Sequence, residues 1–389
     1  MKAKWFKTVL AVAVAGMLSI GCAGEKKEEK KAEAPKQEAA AAKKLVLGVA
    51  GAQSGDLASY GLPTVNAAKL VAKEINAKGG VNGMQVEVLP VDDQCKPEQA
   101  TNAATKIVAD KVSIVIGHIC SGATKAALPI YKDAKVILMS PSATSTELTQ
   151  SGSYPNFFRT ISYDLIQGKA AAEFATGELK VKKVAVIHDK GDYGKGFAES
   201  AKKALEDGKV AKVVLFEGIT PGGVDYSAVI QKVKAAGADC VLFGGYHPEA
   251  SKIVVQMHKK GMKIPFVSDD GVKDDTFIKT AGADADGVYA TGPQILADNA
   301  IYKKAIEDHK KEFNAEPGAF FPQAYAAAQA LLNAVAKAGS TDYDKVVAAL
   351  QKEFIETPVG KIKFDAKGDA EGVSFSVYQV KNGKYELVK

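Results

Sequence analysis

The sequence predicts an α/β protein built from two doubly wound, Rossmann-like lobes. Three observations predict it. Short continuous Val/Ile/Leu runs alternate with segments whose apolar residues recur every three or four positions. That alternation starts near Leu45 and begins again near Lys183, and 389 residues exceed what one hydrophobic core commonly holds. Continuous apolar strands, unlike alternating ones, suit a parallel sheet covered by helices on both faces.

The first half opens with strand Leu45–Ala50. A helix follows that carries Ala67, Ala68, Val71, Ala72 and Ile75 and is closed by Gly79-Gly80. Strand Val86–Val91 leads to a helix from about Pro97 with Ala103, Ala104, Ile107 and Val108, and strands Val112–Gly117 and Lys135–Met139 complete the series. The second half supplies strands Lys183–His188, Ala211–Phe216, Cys240–Phe243, Pro265–Ser268 and Gly287–Ala290, with helices near 194–207, 225–236 and 248–260 between them. Three more helices, near 298–312, 322–338 and 342–354, precede a terminal hairpin turned by Asn382-Gly383.

Ahead of these elements lies a different kind of sequence. Residues 1–7 are basic and Thr8–Ile20 is an apolar run, too short for a bilayer span of roughly 20 residues, so 1–21 reads as a secretory signal peptide. Leu18-Ser19-Ile20-Gly21-Cys22 resembles the lipobox of bacterial lipoproteins, with Leu18 one step further from the Cys than usual. The resemblance implies acylation of Cys22; the alternative is a secreted chain cut nearby. Residues 22–44, made mostly of Lys, Glu, Ala and Gln, cannot bury enough apolar surface to offset their ordering entropy and read as a flexible tether.

This division disposes of the net charge of +6. Lys2, Lys4 and Lys7 contribute three charges and residues 25–44 a net two, which leaves +1 from Leu45 onward. The folded part has no basic excess to attract nucleic acid, and a membrane is expected only through the anchor at Cys22. Export also changes the cysteine reading, because Cys95, Cys120 and Cys240 are an odd number in an oxidising compartment. Cys95 lies in a polar turn, Cys120 follows an apolar strand and Cys240 sits within a buried-strand pattern. The reading is a Cys95–Cys120 disulfide with Cys240 a free core thiol. No metal is expected, since neither C-x-x-C nor a close Cys/His cluster occurs.

In open α/β sheets ligands bind beyond the carboxyl ends of the strands, which directs attention to six loops: 51–60, 118–122, 140–145, 188–193, 244–248 and 269–272. His118-Ile119-Cys120-Ser121-Gly122 and Ser140-Pro141-Ser142-Ala143-Thr144-Ser145 offer hydroxyls and backbone N–H groups without an arginine, which suits one carboxylate held by neutral donors better than a phosphate. Tyr193 and Tyr246 are aromatics in polar strand-end loops. Asp270 can meet an ammonium group, although a lone aspartate there is more often a helix cap. The combination suits a zwitterion with an apolar side chain.

Several motifs in order carry a more specific resemblance. Gly117-His118-Ile119-Cys120-Ser121, Glu147-Leu148-Thr149, His188-Asp189-Lys190 with Tyr193-Gly194, Gly244-Gly245-Tyr246-His247-Pro248-Glu249 and Asp365-Ala366-Lys367-Gly368-Asp369 resemble the branched-chain amino acid binding proteins of ATP-binding-cassette importers, type I periplasmic binding proteins. The resemblance runs from Leu45 to the C-terminus. It implies a monomer of two lobes joined by three crossover strands near residues 162, 294 and 372: lobe 1 from 45–162 and 294–372, lobe 2 from 163–293 and 373–389. It further implies that the lobes close on Leu, Ile or Val and deliver it to an inner-membrane permease from the periplasm or cell envelope, with no cofactor.

Carried over by position, Ser121 and Thr144 take the α-carboxylate, and the backbone near Ser142 and Ala143 helps hold both charged groups. Asp270 takes the ammonium, while Tyr60, Ile119, Cys120, Tyr193, Tyr246 and Phe320 surround the side chain. The family also has a disulfide at the positions of Cys95 and Cys120. Asp270 stands where the family has Glu, and Ser142 where it has a small apolar residue, so an amino acid other than Leu, Ile or Val stays open.

Two other functions compete with this reading. A dinucleotide-binding enzyme needs G-x-G-x-x-G in its first strand-to-helix turn, and Gly48, Gly51 and Gly55 lack that spacing; a phosphate loop and a G-x-S-x-G elbow are also missing. His188 and His247 have no evident nucleophile partner and read as structural. A receptor of the same fold with a sensory output, or for an amide, urea or aromatic acid, remains an alternative.

Overall fold

A computed structural model describes residues 43–389; the expected signal peptide, Cys22 and most of the tether lie outside the described residues. The first sheet and its helices are formed by β1 (Lys44–Gly51), α1 (Ala58–Ala77), β2 (Gln85–Asp92), α2 (Pro97–Ala109), β3 (Ile114–Ile116), α3 (Ser121–Asp133), β4 (Ile137–Ser140), α4 (Glu147–Gln150) and β5 (Phe157–Arg159). After α5 (Asp164–Gly177) come β6 (Lys183–His188), α6 (Asp192–Asp207), β7 (Lys212–Gly218), α7 (Ser227–Ala235), β8 (Cys240–Gly244), α8 (His247–Lys259), β9 (Phe266–Ser268), α9 (Asp275–Ala281) and β10 (Tyr289–Pro293). The chain continues through α10 (Ala300–Phe313), α11 (Phe321–Ala338) and α12 (Tyr343–Lys352). It then forms β11 (Ile355–Thr357), β12 (Gly360–Phe364) and β13 (Ala370–Glu371), and ends in the hairpin β14 (Phe375–Lys381) and β15 (Lys384–Leu387). The expected strand at 45 starts one residue early, Lys44 pairing with Gln85.

The first sheet has the order β2-β1-β3-β4-β5 and is wholly parallel. The second runs β15-β14-β10-β9-β8-β6-β7, so its parallel part, β10-β9-β8-β6-β7, repeats the same winding and the terminal hairpin adds two antiparallel strands at its edge. Strands β11 to β13 form a small separate sheet. In an order of this kind the crevice opens where the winding reverses, between β1 and β3 in the first sheet and between β6 and β8 in the second.

Both faces of each sheet are covered, as the continuous apolar strands require. In β3, Ile114 and Ile116 join a core with α1, α11 and α12, while Val115 points the other way into a core with α2 and α3. In the second sheet Val184, Val186 and Leu242 pack on α5 and α6, and Ala185, Ile187, Val241 and Phe243 on α7 and α8. Although α10 to α12 follow the second sheet in sequence, Ala305, Phe321, Leu331, Val346 and Leu350 pack in the first sheet's core beside Leu47 and Val49. No helix among the described residues is long and apolar enough to cross a membrane.

Candidate functional site

The two reversal points face each other. From the first sheet come the start of α1 with Tyr60, the β3–α3 loop with Ile119 and Ser121, and the β4–α4 loop with Ser142. From the second come the start of α6 with Tyr193, the β8–α8 loop with Tyr246, and the β9–α9 loop with Asp270 and Gly271. Together with Phe320, just before α11, these nine residues line one narrow cavity with about 250 Å³ of space free of protein atoms. Eight of them, all but Gly271, were expected from sequence. The other three expected residues, Cys120, Ala143 and Thr144, are buried immediately behind it.

The structure is closed across the cleft. The Tyr60 hydroxyl donates to the Gly271 carbonyl at 2.5 Å, and its ring packs against Tyr246, His247 and Phe320 with centroids 5.5–6.1 Å apart. Ser59 Oγ lies 3.3 Å from His247 Nε2. At the rim, Lys125 Nζ reaches Glu147 on its own side at 2.6 Å and Asp192 across the cleft at 2.9 Å.

The donors gather on the first side. Ser140 Oγ accepts the N–H groups of Ser142 and Ala143, and Ser121 Oγ accepts that of Ser145, so the Thr144 N–H is the one in this loop not given to a neighbouring hydroxyl. A hydroxyl that accepts one hydrogen bond still has its own proton to donate, and Ser121 faces the cavity with it. Ser142 donates instead to the Ile119 carbonyl at 2.8 Å, which fixes one loop to the other. Cys120 is held in the expected disulfide with Cys95, the Cα atoms 5.4 Å apart, and it directly precedes α3. Its sulfur staples the loop behind the cavity, and Cys240 is the free, buried thiol.

Acids gather on the other side. Asp270 is buried; Tyr193 donates to its Oδ1, and its Oδ2 has no hydrogen-bond partner. It does not cap α9, because that role belongs to Asp274, whose carboxylate accepts the Thr276 N–H at 2.7 Å. Burial raises the Asp270 pKa to about 6. Asp164, at the start of α5, was not singled out by sequence. It is fully buried, donates its N–H to the Thr144 carbonyl at 2.8 Å, and has no partner on either carboxyl oxygen; Thr144 Oγ1 is unpartnered too. Burial, with Asp270 near by, raises the Asp164 pKa to about 8. Unpaired buried polar groups are uncommon because each costs about 1–3 kcal/mol. Thr144 Oγ1 and Asp164 neighbour each other and Gln167 neighbours Asp270, so the acid left facing the cavity is Asp270, a counter-charge for a cation.

His188 is not paired with a nucleophile: its Nδ1 accepts the Lys190 N–H at 3.1 Å and its ring packs on Phe216, while His247 meets Ser59 Oγ across the cleft. Among the described residues no group of three His, Cys, Asp or Glu side chains is arranged to hold a metal.

Paired α/β lobes with neutral donors on one wall of a closed cleft and an acid on the other define a receptor for a small charged solute. The chain belongs to the periplasmic binding protein family, whose profile matches residues 44–384. It is 39% identical over 339 residues to the leucine-, isoleucine-, valine-, threonine-, and alanine-binding protein of Pseudomonas aeruginosa, covering 87% of this chain and 90% of that one. It is 36% identical over 340 residues to the Leu/Ile/Val-binding protein of Escherichia coli, covering 87% and 91%. Among solved structures it resembles the branched-chain amino acid transporter substrate binding protein LivJ of Streptococcus pneumoniae in complex with isoleucine, with a TM-score of 0.80, 31% identity and coverage of 89% and 100%.

Proposed function

We propose that this chain binds a hydrophobic amino acid, of the Leu, Ile or Val kind, between its lobes and delivers it to an inner-membrane permease. The lobes are 45–162 with 294–372 and 163–293 with 373–389, and the chain crosses between them three times. The observation that carries the reading is the polarity of the closed cavity: Ser121 on one wall offers a donor to a carboxylate, with the Thr144 N–H behind it, and Asp270 on the other offers charge to an ammonium, with Asp164 buried behind it. Tyr60, Ile119, Tyr193, Tyr246 and Phe320 leave an apolar remainder for the side chain, with Cys120, Ser142 and Ala143 supporting the wall. The names of the relatives support the same class. In this reading the protein is exported, works as a monomer in the periplasm or cell envelope, and is held to a membrane through lipid on Cys22.

The test is a thermal-shift screen of residues 43–389 against all the amino acids, since a solute bound only by the folded state raises stability by mass action. Leu, Ile or Val should give the largest upward shifts, and calorimetry should then give one site per chain. An unchanged melting temperature with every amino acid overturns the reading.

A further inference from the structure

The sequence holds one arginine, Arg159, against fifty lysines, and it is the largest wholly buried side chain among the described residues. It ends β5, at the first crossing between the lobes. Its Nε donates to Asp369 Oδ1 at 2.5 Å and its Nη2 to Thr149 Oγ1 at 2.5 Å. Its Nη1 donates to two carbonyls, Ala143 at 3.2 Å and Ser145 at 2.9 Å. Asp369, which stands just before the third crossing, also accepts from Thr149 at 2.9 Å and Gln150 at 2.6 Å.

One lysine would serve an ion pair with Asp369. Only a rigid fork of several N–H groups can hold a carboxylate, a hydroxyl and two carbonyls at once. The two carbonyls flank Thr144. In a trans peptide the C=O and the following N–H point in opposite directions. Gripping the Ala143 carbonyl therefore turns the Thr144 N–H away from the guanidinium.

We infer that Arg159, held by Asp369, is the positioning residue for the solute's carboxylate, aiming the Thr144 N–H at it from behind the cavity. The inference rests on the reading of the site as an amino-acid receptor. Arg159 touches no solute; it acts through the peptide between Ala143 and Thr144. The same side chain ties the ligand loop to the segments that cross between the lobes.

Arg159→Lys and Asp369→Asn test it, with affinities for leucine and leucinamide measured by calorimetry and the Thr144 amide proton followed by NMR. Leucinamide keeps the ammonium and the side chain and loses the carboxylate charge. The preference of the wild-type protein for leucine should fall at least tenfold in Arg159→Lys and by a smaller factor in Asp369→Asn. The downfield shift of the Thr144 amide on adding leucine should shrink in both. Equal losses for the two solutes, with the Thr144 shift retained, would show a merely structural side chain and overturn the inference, as would unchanged leucine affinity. A wild-type protein that binds no leucine overturns the receptor reading itself, and this inference with it. If Arg159→Lys does not fold, the Asp369→Asn ratio decides alone.

Discussion

Affinity for an amino acid should rise with pH between 6 and 8, and Asp164 sets the size of the effect. In the closed structure its carboxyl group is fully buried and unpartnered, and its pKa is raised to about 8. Asp164 lies behind Asp270 and not on the cavity wall; in the limiting case that the ammonium is held only while both acids carry charge, the fraction of molecules with Asp164 ionised is the fraction competent to bind. That fraction is about 0.01 at pH 6, 0.1 at pH 7 and 0.5 at pH 8, and the apparent dissociation constant is the intrinsic one divided by it. Affinity should thus improve roughly ninefold from pH 6 to 7 and roughly fivefold from 7 to 8. Asp270, with its pKa raised to about 6, steepens the lower end.

Binding should also release close to one proton at pH 7, visible as a dependence of the calorimetric heat on the buffer's ionisation enthalpy. The stability of the empty protein runs the other way. An acid whose folded pKa lies above its unfolded value binds more protons when folded, so stability falls as pH rises from about 4 to about 8. Asp164→Asn should weaken both trends, flattening the affinity profile between pH 7 and 8 and raising the melting temperature of the empty protein at pH 8, while Asp270 and Asp269, whose pKa values burial also raises, keep the remainder. An affinity that changes less than twofold from pH 6 to 8, with no proton released, would refute the placement of the solute's ammonium against these acids.

Three further outcomes follow from the geometry. Replacing Cys95 and Cys120 by Ser opens a loop with a sequence separation of 25 and should lower stability by about 3 kcal/mol in urea unfolding, with weaker leucine binding because Ser121 follows Cys120 directly. Tyr60→Phe removes the bond to the Gly271 carbonyl and leaves the ring contacts, so the melting temperature of the empty protein should hold while leucine affinity falls by a factor matching about 0.5–1.5 kcal/mol in calorimetry. Gly61→Ala would place a Cβ 1.7 Å from the Ala52 carbonyl oxygen, forcing α1 off β1; thermal unfolding should show a loss of at least about 1–3 kcal/mol, and Tyr60 should lose its register with the cavity.

The sheets were legible because their strands are apolar on both faces, and the cavity because its residues sit where strands end. What escaped has a physical reason in each case. The helix α5 buries Asp164, Gln167 and Gly168 while Leu165 and Ile166 are exposed, the inverse of the apolar periodicity that marks a helix. Strand β5 has three residues and β13 two, too few to show any period. Asp164 escaped with its helix, since an aspartate at a helix start reads as favourable to the helix dipole. Arg159 was visible in plain counting, as one arginine in a lysine-rich chain, but charge arithmetic treats the two residues alike. Asp270 stood out because it closely follows an apolar strand.

The empty cleft is closed by the packing of Tyr60 on Tyr246 and His247, the Ser59–His247 contact and two further polar pairs. The Tyr60–Gly271 bond contributes about 0.5–1.5 kcal/mol, and the exposed Lys125–Asp192 pair about 0.2–1 kcal/mol, less in salt. Against them stand Asp164 and Asp270, whose unpartnered oxygens each cost about 1–3 kcal/mol once water is excluded. The buried acids therefore oppose closure of the empty cleft. An ammonium between the acids removes the opposing term and adds attraction of its own, which is the differential affinity that a population shift requires. A solute with the right side chain and no cation fills the cavity without removing that term. The acids that select the solute are therefore also the groups that make closure depend on it.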